Sequence, residues 1–395
     1  MPRQFSWIST LGMGFSVTNS WIGYLNLVYG GRQACLFSLI AALFAQFMVT
    51  IGLGELGSAF PSSGGQYHFC YILSSTSTRR YFSYIVGWLS MLGWWIITCS
   101  GISLATMVLL GLVSFWDHTF IATQWQTYLT YVAVAVLTII PLFIVPQKIS
   151  VVAKISLFLS LAGFTVFFIV ALAMHSGKGT ESSLVASGDG SSGWSDGTAW
   201  MLAISNTMYA YSGTDCVIHI SEEMPRPGRL VPQVMIMTMV IGFLTCFPLF
   251  FRNVTLGLFV VLWLIYTTCL PSQWVGSGRI AWAFSSDNGL PFSDFFSQVH
   301  PTLNFPVRAT LLGLAFACLY GLLYLASTTA FNSIITSAVL FVNITYVVPQ
   351  GILLTRGLLV GVFAIINAIW FCGGRYSFEG PNIDWEMLGL HNHRG

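Results

Sequence analysis

Runs of about 20 mainly apolar residues, enough to cross a bilayer as helices, recur along this chain of 395 residues with little between them. They are read at 7–29, 35–57, 82–113, 125–145, 150–174, 197–220, 231–251, 255–280, 307–326, 329–354 and 357–373, eleven in all. The run at 82–113 exceeds what a bilayer needs and is expected to tilt or project. Hydrophobic residues make up 55% of the chain and charged residues 7%, where soluble domains carry about 25% charged residues. The expected fold class is an all-α polytopic membrane protein, one transmembrane domain over 1–395. The net charge of +2, with no basic tract, gives no footprint for nucleic acid. The expected partners are the lipid bilayer and a small-molecule substrate; no oligomeric state is assigned.

Orientation follows from Lys and Arg in the short loops. With the N-terminus in the cytoplasm, the inside holds ten of these residues: Arg3, Arg79, Arg80, Lys148, Lys154, Arg226, Arg229, Arg279, Arg308 and Arg356. The outside holds three: Arg32, Lys178 and Arg252. A cytoplasmic N-terminus is therefore expected.

Two of the runs are interrupted in the middle. In the sixth, Ser212, Gly213, Thr214 and Asp215 fall at mid-depth. In the first, Gly12 and Gly14 are followed by Ser16, Thr18, Asn19 and Ser20. Irregular backbone at membrane depth is tolerated only where protein, ligand or water satisfies the freed groups. Helices one and six occupy corresponding positions in a five-plus-five inverted repeat. The expected layout is a first repeat over about 5–174, a second over about 197–354, a last span over about 357–373 and a tail over 374–395. Broken half-helices leave N–H groups for an anion and C=O groups for a cation. Small-residue packing between helices is the alternative reading of one glycine-rich span, and two in matched positions favour a binding site.

Asp215 is an intramembrane carboxylate, functional by default, or else a cap for the second half of the sixth helix. His219 lies one turn further on and reads as a satisfied interface residue, or else as a proton carrier. Glu222 and Glu223 are expected to pair with Arg226 or Arg229. Tyr209 and Tyr211 flank the break, where either could gate a site or face a quaternary ammonium. Lys154 opens the fifth span. It reads as an interfacial lysine, or as a cation that replaces a coupling sodium or exchanges a proton.

Five segments together carry a family resemblance: Gly12–Trp21 (GMGFSVTNSW), Gly54–Tyr67 (GELGSAFPSSGGQY), Tyr209–Asp215 with Ser221–Pro232 (SEEMPRPGRLVP), Gly278–Phe292 (GRIAWAFSSDNGLPF), and Thr329–Ile335 (TAFNSII). In this order they resemble the amino acid–polyamine–organocation transporter superfamily, most closely its fungal amino acid, GABA and choline permeases. The resemblance implies twelve spans, an inverted-repeat fold with discontinuous helices one and six, and secondary active transport by alternating access. It implies a substrate site between spans one and six, with contributions from three, eight and ten. Ser16, Val17, Thr18 and Asn19 would line it from one side; Tyr209, Tyr211, Ser212, Gly213 and Asp215 would line it from the other.

The chain begins almost at its first span, has a short link at Phe250–Thr255, and carries one span after Arg356 where the family has two. An incomplete or degenerate copy is expected from these departures. The function expected is a permease for amino acids or related amines such as choline or GABA, in the plasma membrane, with no catalytic residue, metal or cofactor. The coupling ion expected is the proton, with Lys154 as the possible coupling residue. A facilitator or exchanger, a non-transporting receptor and a defective paralogue are the alternatives.

Overall fold

A computed structural model describes residues 4–21, 31–173, 196–246, 259–326 and 338–355. All regular structure among them is helical: α1 (Trp7–Thr18), α2 (Gly31–Ala59), α3 (Gln66–Leu73), α4 (Arg79–Trp116), α5 (Gln124–Ile144), α6 (Ile149–Ala173), α7 (Asp196–Met208), α8 (Cys216–His219), α9 (Pro227–Cys246), α10 (Phe259–Ser286), α11 (Ser293–Phe296), α12 (Val307–Gly321), α13 (Leu323–Ala326) and α14 (Ala338–Thr355). The chain to Gln350 is one compact unit; residues from Gly351 form a second, of which only the end of α14 is described.

Seven of the described helices are long and apolar enough to cross a membrane: those at Leu36–Ala59, Arg79–Trp116, Gln124–Ile144, Pro146–Val170, Pro227–Cys246, Val307–Ala326 and Ala338–Thr355. Their apolar side chains point outward as well as inward. Phe44, Met48, Leu137 and Phe158 are each more than 60% exposed, while Ser9, Thr10, Ser16, Thr98 and Thr138 are buried. A surface of this kind suits hydrocarbon, and the chain is an integral membrane protein. The 38 residues of α4 reach about 57 Å at 1.5 Å per residue, well beyond the hydrocarbon core.

Three of the expected runs differ. The first ends as a helix at Thr18, and residues 22–30 lie outside the described set. The sixth divides into α7, a 3₁₀ turn at Tyr209–Tyr211 and α8. The eighth continues to Ser286. The last, 357–373, lies outside the described residues, as does the Thr329–Ile335 motif. The Gly54–Tyr67 motif closes α2, turns over 60–65 and opens the short helix α3, which sequence reading missed because eight residues carry too little periodicity.

The core is built around α1. Every residue from Ser9 to Thr18 is buried, and α6, α8, α9 and α10 pack around it. A capping box starts the helix: Ser6 accepts from the Ser9 N–H, and Ser9 Oγ accepts from the Ser6 N–H. Gly12 sets the depth of packing against α6. A methyl group there would lie 2.4 Å from the Ala153 carbonyl oxygen, so any larger residue forces two backbones apart. α4 packs mainly on α10 and α3, and α2 on α9 and α7.

Candidate functional site

α1 stops because Asn19 turns left-handed, with φ 35° and ψ 51°. Asn tolerates that conformation better than most residues do. Its side chain then ties the break to two other helices. Asn19 Nδ2 donates to Cys269 Sγ on α10 at 3.4 Å, and Asn19 Oδ1 accepts from Ser160 Oγ on α6 at 2.8 Å. The Val17 carbonyl, freed by the break, accepts from Gln273 Nε2 at 3.4 Å.

The second break reverses at Gly213, φ +87°, a conformation that costs a residue with a Cβ. A methyl group on Gly213 would also lie 2.7 Å from Val17 Cγ1. The two interruptions therefore touch. The freed Gly213 N–H donates to Tyr346 Oη on α14 at 3.2 Å.

Between the breaks lies a narrow cleft of about 20 Å³, lined by Ser16, Val17, Thr18 and Asn19 from α1 and by Tyr209. Gly101 and Leu104 of α4 and Tyr266, Cys269, Leu270 and Gln273 of α10 complete it. No charged side chain among the described residues lines it. Gln273 Oε1 is buried without a hydrogen-bond partner among the described residues, so the cleft offers a free acceptor. Tyr209 is fixed there by a 2.6 Å hydroxyl contact with Ser100.

The other expected site residues lie elsewhere. Tyr211, Ser212, Gly213 and Asp215 are buried beside the cleft rather than lining it. Ser212 Oγ donates to its own helix at the Met208 carbonyl. Lys154 is half-buried on α6, outside the cleft.

Asp215 is 1% exposed and does not cap α8 with its side chain, which overturns the capping alternative. Its carboxylate instead collects donors from distant elements. Gln66 Nε2 of α3 and Trp94 Nε1 of α4 donate to Oδ2 at 2.6 and 3.0 Å, and Tyr346 Oη donates to Oδ1 at 2.5 Å. His219 Nε2 lies 3.3 Å from Oδ2. Its other nitrogen, Nδ1, is 2.8 Å from the Ser63 carbonyl. A carbonyl only accepts, so Nδ1 donates there. His219 is fully buried beside Asp215, not at an interface.

The Glu222 and Glu223 expectation also fails. Arg226 sits at φ 53° between Pro225 and Pro227 and is exposed, as is Arg229. Buried Glu223 pairs instead with buried Arg279 of α10, Oε1 to Nε 2.7 Å, and accepts from Gln4 Nε2 at 3.0 Å. Glu222 Oε1 accepts from the Ser63 N–H at 3.0 Å.

Residues 5–251 and 246–357 match the amino acid permease family. The chain is 29% identical to a choline transporter of Saccharomyces cerevisiae, an alignment covering 90% of this chain and 70% of that protein. It is 25% identical to a swainsonine transporter of Arthroderma benhamiae, over 90% of this chain and 77% of the relative. It is 24% identical to a 7-keto 8-aminopelargonic acid transporter of S. cerevisiae, over 89% and 78%.

Proposed function

The chain belongs to the amino acid permease family of the amino acid–polyamine–organocation superfamily, and from that we propose that it is a secondary active permease for amino acids or related amines such as choline or GABA. It is a transporter, not an enzyme. The observation that carries the reading is the contact of the two broken helices around one cleft, Val17–Asn19 on one side and Tyr209 on the other.

In this reading the two breaks are equivalent positions of a five-plus-five inverted repeat, and alternating access moves the α1 and α7–α8 pair against the rest. The substrate occupies the cleft between Ser16, Val17, Thr18, Asn19 and Tyr209 once the helices part, since the closed cleft of about 20 Å³ holds about one water; Tyr211, Ser212 and Gly213 stand behind its wall. A cleft with two tyrosines, a free amide acceptor and no formal charge suits an amine held by cation–π attraction and one hydrogen bond. The choline transporter named among the relatives supports this ligand class. A zwitterionic amino acid would use the backbone groups freed at the breaks.

The coupling ion in this reading is the proton. Asp215, with His219 beside it, is a better carrier than Lys154, because its carboxylate is buried where α3, α4, α8 and α14 meet. The N-terminus is cytoplasmic and the membrane is the plasma membrane.

The test is uptake of labelled choline, GABA and amino acids into transporter-deficient yeast, across external pH and with a protonophore. Uptake of at least one solute that collapses with the proton gradient supports the proposal. Binding without uptake favours a receptor or a defective copy. Uptake that ignores the protonophore points to a facilitator.

A further inference from the structure

A second and larger hollow, of about 730 Å³, lies away from the two breaks. Its walls are α3, the first turns of α4 and the turn that follows α10. Arg80 and Asp287 line it, with His68 beside Asp287. Arg80 is exposed on the first turn of α4, and among the described residues no carboxylate pairs with it. Asp287 is half exposed, and its two contacts, from Tyr67 Oη at 2.8 Å and His68 Nε2 at 2.6 Å, both fall on Oδ2. Oδ1 keeps its lone pairs.

The rest of the lining is aromatic and apolar. Tyr71, Ile72 and Tyr84 are 40%, 47% and 53% exposed, and Arg79 stacks over the Tyr71 ring at 4.9 Å. Phe284 forms the floor, held by Tyr67, Tyr84 and Trp88 with ring centroids 5.4–6.1 Å apart. Tyr81, Phe82 and Ile85 continue the exposed apolar surface along α4. Tyrosine and arginine clustered at a helix end mark the interface between hydrocarbon and water. The hollow is thus placed where a lipid headgroup meets its chains.

We propose that this hollow binds a zwitterionic phospholipid, a phosphatidylethanolamine or phosphatidylcholine, with its phosphate on Arg80 and its ammonium between Asp287 and the Tyr84 ring. The pairing of one guanidinium with one carboxylate matches both charges of such a headgroup. Guanidinium–phosphate contacts are strong and directional, and tyrosine faces attract ammonium groups. An anionic lipid would satisfy Arg80 and be repelled by Asp287. The acyl chains follow Ile72, Tyr84 and Ile85 into the hydrocarbon. The leaflet depends on the orientation proposed above; the headgroup chemistry does not.

The experiment is native mass spectrometry of the detergent-purified, delipidated full chain. It is titrated separately with palmitoyl-oleoyl phosphatidylethanolamine, the corresponding phosphatidylglycerol, and chain-free glycerophosphoethanolamine. The expected result is preferential phosphatidylethanolamine adducts, weakened about tenfold by Arg80→Gln, as loss of one charge-assisted contact implies. Asp287→Asn should shift the preference toward phosphatidylglycerol. Equal binding of both lipids by the unmodified chain, unchanged by Arg80→Gln, overturns the proposal. So does glycerophosphoethanolamine binding as tightly as the intact lipid, which would make the hollow a site for free solutes. Neither outcome touches the uptake test of the central cleft.

Discussion

Tyr346 donates its hydroxyl to Asp215 Oδ1 at 2.5 Å and accepts from the Gly213 N–H at 3.2 Å. One side chain on α14 thereby satisfies both the charge and the bent backbone of the interrupted helix. Removing the hydroxyl orphans two buried groups, at about 1–3 kcal/mol each. Tyr346→Phe should lower the thermal midpoint of the purified protein and cut uptake severely with surface expression retained. A variant with unchanged midpoint and transport would show that the hydroxyl is dispensable.

Asp215→Asn keeps the shape of the network but has no carboxylate to take up a proton. Uptake should become independent of external pH, whereas Lys154→Ala should keep the pH dependence of the unmodified chain. The reverse pattern moves the coupling role to Lys154.

Gln273 approaches the break through the space left by Gly101, where a methyl group would meet Gln273 Oε1 at 2.2 Å. Gln273→Leu removes both the donor to Val17 and the free acceptor. Loss of one hydrogen bond to substrate is worth about 0.5–1.5 kcal/mol, so KM for uptake should rise about three- to tenfold. A lower maximal rate at unchanged KM would assign Gln273 to holding α1 alone.

Glu223 and Arg279 form a buried pair, 2% and 1% exposed. Breaking such a pair by removing one partner costs about 3–5 kcal/mol. Glu223→Gln should therefore be strongly destabilised, and the double variant Glu223→Gln with Arg279→Met less so than Glu223→Gln alone. A double-mutant cycle in thermal unfolding measures the difference; simple additivity would contradict the coupling.

The bonds from His68 and Tyr67 hold the Asp287 carboxyl below its ordinary value, against partial burial. A depressed carboxylate stabilises the fold above its unfolded pKa of about 3.9 and loses that contribution as pH falls through the lower folded value. Unfolding midpoints measured from about pH 5 to pH 3 should fall more steeply for the unmodified chain than for Asp287→Asn. Parallel curves would mean that the contact adds nothing to stability.

The helical architecture and both interruptions were legible in the sequence because each is a local pattern. Hydrophobic runs announce helices, and Gly213 or Asn19 within such a run announces a break. That Ser16 to Asn19 and Tyr209 would line one site was an implication of the family resemblance, not of any spacing. The partners of Asp215 were not legible, since Gln66, Trp94 and Tyr346 come from three other elements and share no spacing with it. His219 was closer to reach: four residues after Asp215 on a helical path, it lies on the same face. The pairing of Glu223 with the nearer Arg226 or Arg229 failed because two prolines hold Arg226 in a turn at the surface, while Arg279, 56 positions away, lies beside Glu223 in the core.

α1, with the Asn19 that ends it, and α10 supply eight of the eleven cleft residues; Tyr209 comes from the 3₁₀ turn and Gly101 and Leu104 from α4. α1 stops after 12 residues, about 18 Å at 1.5 Å per residue, and so falls short of the hydrocarbon thickness. Its terminal backbone groups would find no water in lipid. α1 therefore depends on the helices packed around it for its place in the bilayer. Biogenesis of this protein is in that sense hierarchical: the scaffold must be assembled before its broken first helix has anywhere to go.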